Sequence, residues 1–311
     1  MNDIVRATAT PPRDPLRIWL LAARPATLPA AVGPVLVGLG AALSIGTPLR
    51  ADTAVACLAV AVLLQVAANL SNDLADFERG ADTADRLGPI RAAATGLLTP
   101  GALRRGIGIV VIAAGIIGLY LVSVGGPVLL VLGAAAIVAA IAYTGGPWPY
   151  GYRGLGEVFV FAFFGLVAVA GTAFLQAGTL KPLFLTSAVP MGALVTAILV
   201  VNNLRDLPTD RAAAKRTLAV MFGEGFAKAE YVGLLAIAAA VPVALAISAT
   251  VGPAVLLPLV AAPLALGPIR EVLATGPDRD RRRLNPVLRS TARLSLIVAV
   301  LFAAGLGLDG V

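Results

Sequence analysis

Long apolar segments recur along this chain, and short polar stretches separate them. They lie near residues 27–46, 52–75, 105–124, 127–144, 155–177, 183–203, 229–249, 252–271 and 290–308. The hydrocarbon core of a bilayer is about 30 Å thick, so a helix needs about 20 mostly apolar residues to cross it. The pattern predicts an all-α, polytopic membrane protein with about nine transmembrane helices in a single bundle.

The N-terminal region precedes these segments and differs from them. Residues 1–14 contain P-P-R-D-P and are predicted to form a flexible cytoplasmic tail. Residues 15–24 predict a short helix on the membrane surface, with Trp19 at the level of the lipid headgroups. The remaining chain, 15–311, is predicted to be one transmembrane domain.

Composition supports a lipid environment. The 311 residues are 59% hydrophobic and only 13% charged, with a mean hydropathy of +0.91. A soluble domain carries roughly a quarter charged residues. Such a chain would have to be almost entirely core in water, whereas lipid accommodates it directly.

The basic residues predict the orientation in the membrane. Of the 24 Lys and Arg residues, 22 lie in the N-terminal segment or in the connections after the second, fourth, sixth and eighth predicted helices, and only Arg50 and Lys181 lie on the other side. Basic residues favour the cytoplasmic face. The distribution places the N-terminus in the cytoplasm and the C-terminus outside. It also accounts for the net charge of +7 without a nucleic acid partner.

The absence of histidine restricts the chemistry. Without His, and with Cys57 as the single cysteine, the chain lacks the usual general base, a disulfide framework and the common ligands for zinc and copper. Carboxylates, amides, basic side chains and tyrosine remain. This inventory suits a hard cation such as Mg²⁺.

The second apolar segment ends in an acidic cluster. The stretch 65–91 supplies Asn69, Asn72, Asp73, Asp76, Asp82 and Asp85. Asn69 and Asp73 are four residues apart, and Asp76 follows three residues later, so a helix places all three on one face. Like charges so close together are tolerated best where a cation lies between them.

A second cluster repeats this arrangement at the end of the sixth predicted helix. Asn202 and Asp206 are four apart, as Asn69 and Asp73 are, and Asp210 follows after four more residues. If helices one to four form one set and helices five to eight another, each cluster lies at the end of the second helix of its set. This correspondence suggests an internal duplication. Both clusters are predicted on the same membrane face, where they can converge on a central cavity open to the cytoplasm.

A single D-x-x-D at a helix end is often only a solvated loop charge. Two clusters that both begin with N-x-x-x-D and lie on the same membrane face favour a binding site instead. The nearby basic residues are Arg86, Arg91, Arg153, Lys215 and Arg216. Mg²⁺ bridging carboxylate and phosphate oxygens, with basic side chains taking the remaining charge, describes a site for a diphosphate.

At these residues the chain resembles the UbiA superfamily of intramembrane prenyltransferases. N-D-L-A-D-F-E-R-G-A-D is similar to the first aspartate-rich motif of that family, and D-L-P-T-D to the second. A finer resemblance, to the menaquinone branch that prenylates 1,4-dihydroxy-2-naphthoate, rests on R-P-A-T-L-P, D-R-L-G-P-I-R, Y-T-G-G-P-W-P, K-R-T-L and L-N-P-V-L-R-S-T-A. The 4-hydroxybenzoate branch places D-R beside the second aspartate, whereas here F-E follows Asp76.

The resemblance implies a ligand set and a reaction. Residues Asp73, Asp76, Asp206 and Asp210, with Asn69 and additionally Asp82 and Asn202, would hold Mg²⁺ on the diphosphate of a polyprenyl donor; Arg86, Arg91, Arg153 and Lys215 would bind the diphosphate. The C–O bond breaks to an allylic cation, and the naphthoate ring attacks through the carbon that bears its carboxylate. Loss of CO₂ then restores aromaticity without a histidine base.

Three further residues are candidates for the acceptor site, and each has an alternative. Arg24 is either an interface residue or a contact for the acceptor carboxylate. Tyr143, with Tyr150, either lines the cation pocket or belongs to an aromatic belt. Asn285 either reaches the site or caps the last helix. The basic run 278–283 is interpreted as a contact with anionic membrane lipids.

Two other functions compete with this interpretation. Within the family, the acceptor could be 4-hydroxybenzoate, homogentisate or a chlorophyllide. In a different class, the protein could be an ion-coupled transporter, but transporters place ionisable residues near the bilayer midplane. Here these residues gather at one face, which favours an enzyme.

Overall fold

The computed structural model describes residues 14–80, 87–89 and 91–309, and within them every regular element is helical. The α-helices are α1 (Pro15–Ala23), α2 (Pro29–Leu43), α3 (Ala51–Glu78), α4 (Pro100–Gly125), α5 (Val128–Ala142), α6 (Gly156–Val160), α7 (Gly171–Ala177), α8 (Pro182–Ala212), α9 (Leu218–Phe222), α10 (Glu224–Ile247), α11 (Leu266–Ala274) and α12 (Leu284–Leu308). A π-helical stretch, Phe161–Ala170, joins α6 to α7, and a 3₁₀ helix, Pro253–Ala265, leads into α11. Residues 1–13 of the predicted tail lie outside the described residues.

The entry into the bundle is set by local sequence. The Asp14 side chain accepts the N–H of Leu16 at 3.1 Å, and Pro15 occupies the first helical position, so α1 starts there. Arg24 ends α1 in a left-handed conformation, with φ of 51°. After a 3₁₀ turn, α2 continues at an angle of 52° to the segment Pro15–Thr27. Arg24 is partly buried at this connection.

Helix α8 forms the centre of the bundle. Most of its residues are buried, and it packs against α2, α10, α12 and the π-helical stretch. Glycines permit the closest crossings between helices, as expected for packing in lipid. A Cβ on Gly165 would lie 2.7 Å from the Cα of Gly192, and one on Gly40 of α2 would lie 2.5 Å from the carbonyl oxygen of Ala303 in α12.

The membrane architecture is confirmed, whereas the count of nine spans is not. Within the described residues, seven helices are long and apolar enough to cross a membrane, and the bent pair Pro15–Thr27 and Pro29–Leu43 makes an eighth if it is one span. The predicted segment 127–144 forms only the 15-residue α5. At 1.5 Å per residue it extends about 22 Å, short of a bilayer core of about 30 Å.

Three elements differ from the predicted segments. Helix α3 extends to Glu78 and α8 to Ala212, beyond the apolar limits at 75 and 203, so the residues from Asn69 to Asp76 and from Asn202 to Asp210 lie on helices. The hydrogen-bonded backbone continues into the polar end of the bundle. The segment 252–271 is largely 3₁₀, because Pro258 and Pro263 lack the N–H that an α-helix requires.

The crossing of α2 and α12 yields a test of the packing. Gly40→Ala places a Cβ against the backbone at Ala303, which cannot rotate away, so the variant should lose about 1–3 kcal/mol of stability. The control is Gly108→Ala in α4, where a Cβ has nothing within 4 Å. Thermal unfolding in detergent should show a lower midpoint for Gly40→Ala alone; equal midpoints for both variants would contradict the described crossing.

Candidate functional site

A polar cavity of about 90 Å³ lies at one end of the bundle, where α3 and α8 end. Its lining residues come from these two helix ends and from the connections that follow α1, α3, α5 and α8. They are Arg24, Asn72, Asp76, Arg91, Tyr143, Thr144, Gly151, Tyr152, Asn202, Asn203, Asp206, Thr209, Asp210, Ala213, Lys215 and Thr217. The predicted convergence of the two acidic clusters is therefore present in the structure.

In the first cluster, Asn72 and Asp76 line the polar cavity, while Asn69 and Asp73 do not. The Asn69 amide donates to the carbonyl of Ala23 and to Thr27 Oγ1, both at 2.9 Å. Asp73 accepts backbone N–H groups from the loop after α3. Successive helical residues are about 100° apart, so Asn72 and Asp76 differ by about 40° and Asp73 lies about 60° beyond Asp76.

This placement corrects the pairing expected from sequence. The residues that face Asn202 and Asp206 across the polar cavity are Asn72 and Asp76, not Asn69 and Asp73. The N-x-x-x-D spacing occurs twice in the first cluster, three residues apart, and the spacing alone does not distinguish the two. Asn72 was therefore the missed residue, although its own spacing to Asp76 was a usable signal.

Asp76 is the most heavily partnered carboxylate of the polar cavity. It is 2% exposed, and its Oδ2 accepts from Arg91 Nη2 at 2.6 Å. Its Oδ1 accepts the Tyr152 hydroxyl at 3.0 Å and lies 3.5 Å from Lys215 Nζ. Lys215 is also 3.5 Å from Asp210 Oδ1, so one ammonium group links the two clusters.

Tyr152 is a second residue that sequence reasoning missed. Burial, together with the nearby charge of Asp76, raises the pKa of Tyr152 well above its usual value. The phenol therefore stays protonated and remains a hydrogen-bond donor at neutral pH. Lys215 Nζ also lies 4.7 Å from the centre of the Tyr152 ring, a cation–π distance. Nothing in the local sequence around Tyr152 signals either contact.

The second cluster is organised by Arg205, which is 2% exposed. Its guanidinium binds the Asp206 carboxylate with two hydrogen bonds of 2.7 and 2.6 Å and donates to Asn202 Oδ1 at 2.7 Å. It also donates to Asn285 Oδ1 at 2.9 Å. The planar fork of arginine suits this bidentate geometry. The sequence pattern places Arg205 just beyond the predicted segment 183–203, among the basic residues of a connection, whereas the structure has it buried on α8.

The predicted diphosphate-binding residues separate into two groups. Arg91 and Lys215 line the polar cavity. Arg153 is exposed and does not reach it; its guanidinium stacks over the Trp148 ring at 4.9 Å. Arg86 and the predicted metal ligand Asp82 lie outside the described residues, so their roles stay predictions.

The predicted acceptor residues are also divided. Arg24 and Tyr143 line the polar cavity, whereas Asn285 does not. The Asn285 side chain lies between Arg205 and the backbone carbonyl of Leu87, to which it donates at 2.9 Å. Asn285 therefore connects α12 to the loop after α3, a contact that neither expected alternative described.

A larger apolar cavity of about 370 Å³ adjoins the polar one. Helices α2, α3, α4, α5 and α8 line it together with the π-helical stretch, mainly through Ala, Val, Leu and Phe side chains. Four residues line both cavities: Arg24, Asn72, Tyr143 and Asn202. A ligand with an anionic head and a long apolar tail fits this pair of cavities, with its junction at these four residues.

The residues of the polar cavity also suit Mg²⁺. Within the described part of the chain, no three acidic, His or Cys side chains form a ready-made metal cage. Mg²⁺ typically uses one or two carboxylates together with substrate phosphates and water rather than a complete protein cage. Asp76, Asp206 and Asp210, with the amides of Asn72 and Asn202, are oxygen donors of this kind.

Comparison with known proteins identifies the family of this chain. Residues 31–297 match the model of the UbiA prenyltransferase family. The 1,4-dihydroxy-2-naphthoate octaprenyltransferase of Mycobacterium tuberculosis is 42% identical, with 92% of this chain and 95% of that protein covered. The enzyme of the same name from Escherichia coli is 38% identical, with 94% and 95% covered.

A solved structure supports the fold independently. A UbiA homolog from Archaeoglobus fulgidus bound to GPP and Mg²⁺ superposes with a TM-score of 0.63 at 16% identity, over 93% of this chain and 99% of that one. At this identity the likeness concerns the fold alone. The match to the family model and the two close relatives cover most of the sequence. This chain is a multi-pass membrane protein that belongs to the UbiA prenyltransferase family.

Proposed function

We propose that this protein transfers a polyprenyl group from a polyprenyl diphosphate to 1,4-dihydroxy-2-naphthoate, with release of diphosphate and CO₂, in menaquinone biosynthesis. One observation carries the proposal: a polar cavity with carboxylates, amides and cations opens onto an apolar cavity, and four residues line both. The choice of acceptor rests on the relatives named for this activity and on the sequence motifs of that branch.

The diphosphate of the donor would lie in the polar cavity. Asn72, Asp76, Asn202, Asp206 and Asp210 line this cavity and would supply oxygen ligands for Mg²⁺ and, with it, hold the diphosphate. The bound Mg²⁺ supplies charge stabilisation as the leaving diphosphate takes the electron pair of the C–O bond. Arg91, Lys215 and Tyr152 donate hydrogen bonds or positive charge to the oxygens that are not metal-bound.

The reacting carbon would lie at the junction of the two cavities, with the prenyl tail in the apolar one. Tyr143 lies at the junction, and Phe159 lines the adjoining apolar cavity; aromatic rings of this kind would stabilise a positive allylic carbon. The apolar walls would disfavour water and so protect the cation from hydrolysis. Helices α4 and α5 line the apolar cavity and carry many exposed residues on their outer surfaces, so this side would give the tail a route from the bilayer.

The acceptor would enter at the same junction. Arg24 lines both cavities, and its guanidinium would pair with the naphthoate carboxylate and so orient the ring carbon bearing that carboxylate toward the donor. That carbon forms the new C–C bond, the bond to the carboxylate breaks, and its electron pair returns to the ring as CO₂ leaves. No side chain has to remove a ring proton.

The polar end of the bundle is proposed to face the cytoplasm. Nearly all Lys and Arg residues lie at this end or in the connections that form it. The N-terminus is then cytoplasmic and the C-terminus outside. The gathering of ionisable residues at one end also speaks against a transporter, which needs them near the midplane.

The carboxylates give the first test. Asp76→Asn and Asp206→Asn should each lower the rate roughly 100-fold or more, since each removes a carboxylate that would hold the Mg²⁺ whose charge stabilises the leaving diphosphate. The assay combines purified protein, labelled dihydroxynaphthoate, a polyprenyl diphosphate and Mg²⁺, with 4-hydroxybenzoate as competing acceptor. Asp52→Asn, at the opposite end of α3, serves as control and should keep its rate. If 4-hydroxybenzoate is prenylated and dihydroxynaphthoate is not, the proposed acceptor is wrong.

Metal removal gives the second test. Excess chelator should abolish product formation, and Mg²⁺ or Mn²⁺ should restore it, because the ligands are oxygen donors without His or Cys. Product is followed by chromatography at increasing free Mg²⁺. An undiminished rate in excess chelator would show that the reaction does not require a metal ion.

Arg24 gives the third test. Arg24→Gln should raise the KM for dihydroxynaphthoate by about 10- to 100-fold, since a hydrogen bond to a charged group contributes about 1.5–3 kcal/mol. The KM for the prenyl diphosphate should change little. Arg24→Lys, which keeps the charge, should recover part of the loss. An equal rise in both KM values would assign Arg24 to the donor rather than to the acceptor.

A further inference from the structure

Each oxygen of the Asp73 carboxylate accepts a backbone hydrogen bond, and Asp73 does not line the polar cavity. Asp73 is 1% exposed, and its two oxygens accept the backbone N–H groups of Ala92 at 3.0 Å and Ala93 at 3.2 Å. These two alanines are themselves buried, at 0% and 4% exposure. A carboxylate that binds two successive amides fixes the path of the backbone that carries them.

That backbone carries one of the polar-cavity residues. Arg91 directly precedes Ala92, and its Nη2 reaches Asp76 Oδ2 at 2.6 Å inside the cavity. The Arg91 carbonyl accepts the Thr95 hydroxyl at 2.8 Å, which closes a turn around the same peptides. The guanidinium position therefore depends on how residues 91–93 are held against α3.

The same short segment of α3 thus presents two carboxylates with different surroundings. Asp76 faces the polar cavity and binds side chains of Arg91 and Tyr152. Asp73 faces the loop and binds only backbone groups among its described hydrogen bonds. Charge-assisted bonds to two amides are strong and directional. They suit a residue that holds a chain segment in place.

We propose that Asp73 is a positioning residue, which fixes the backbone of residues 91–93 and thereby places the Arg91 guanidinium where it meets the donor diphosphate. This assignment differs from the metal-ligand role that the aspartate-rich motif implies for Asp73. It rests on the proposed function, since it requires a diphosphate in the polar cavity. The expected ligands on this side are then Asn72 and Asp76.

A double-mutant cycle tests the proposal. Asp73→Asn is nearly isosteric, but its amide offers one acceptor oxygen and turns an NH₂ group toward the second N–H. Binding of an unreactive thio analogue of geranyl diphosphate is measured by calorimetry at saturating Mg²⁺. Asp73→Asn should weaken binding about tenfold. Arg91→Gln should weaken it at least as much, and the double variant should match Arg91→Gln alone, because both changes remove one function.

Asp309 provides a matched control. Its carboxylate also accepts two successive backbone N–H groups, those of Ala254 at 3.3 Å and Val255 at 3.0 Å, at the C-terminal end of α12. Asp309→Asn should lower the unfolding midpoint much as Asp73→Asn does, yet leave binding of the analogue unchanged. This comparison separates a loss of stability from a displaced Arg91.

The outcomes are distinguishable. Unchanged binding by Asp73→Asn, or a tenfold loss that persists in the Arg91→Gln background, overturns the positioning role. Failure of the unaltered protein to bind the analogue overturns the proposed function and this inference with it. If Asp73→Asn shows no unfolding transition, Asp73→Ser, whose hydroxyl offers one uncharged acceptor oxygen, is taken through the same cycle with the same criteria.

Discussion

The burial of Asp76 is the constraint on which the polar end of the molecule depends. An ionised carboxylate taken out of water is costly unless it is paired and hydrogen-bonded. Here the compensation comes from Arg91, Tyr152 and Lys215, which belong to three different connections between helices. The contacts of Asp76 therefore hold three loops against the end of the bundle, and these loops form walls of the cavity.

On the opposite wall of the cavity, the carboxylate of Asp206 is also paired with a cation, but that cation comes from the same helix. Arg205 lies on α8 next to Asp206 and neutralises it with two parallel hydrogen bonds, while also binding Asn202. Its contact with Asn285, which in turn binds the Leu87 carbonyl, connects this wall to α12 and to the loop after α3. The two carboxylate sets are thus joined both through Lys215 and through this chain of hydrogen bonds.

These pairings also fit the chemistry of a diphosphate site. Each carboxylate of the polar cavity has a cationic neighbour, so the site is not a strongly negative hole that would repel an anionic donor. Carboxylate oxygens lie next to basic side chains in this cavity. When phosphate and Mg²⁺ bind together, the carboxylates can bind Mg²⁺ and the basic side chains can bind phosphate. The adjoining apolar cavity extends the same site into the part of the bundle that an isoprenoid tail requires.

The sequence by itself determined the fold class, the polar end of the bundle and the two clusters, because apolar length and charge placement are properties of consecutive residues. It also indicated Arg91 and Lys215, since basic residues follow each cluster. Tertiary structure alone decided between Asn69 with Asp73 and Asn72 with Asp76. Spacing fixes which residues share a helix face but not the rotation of that face, which depends on packing. The partners of Asp73, Tyr152 and Arg205 depend on the paths of distant loops, and no local pattern encodes those paths.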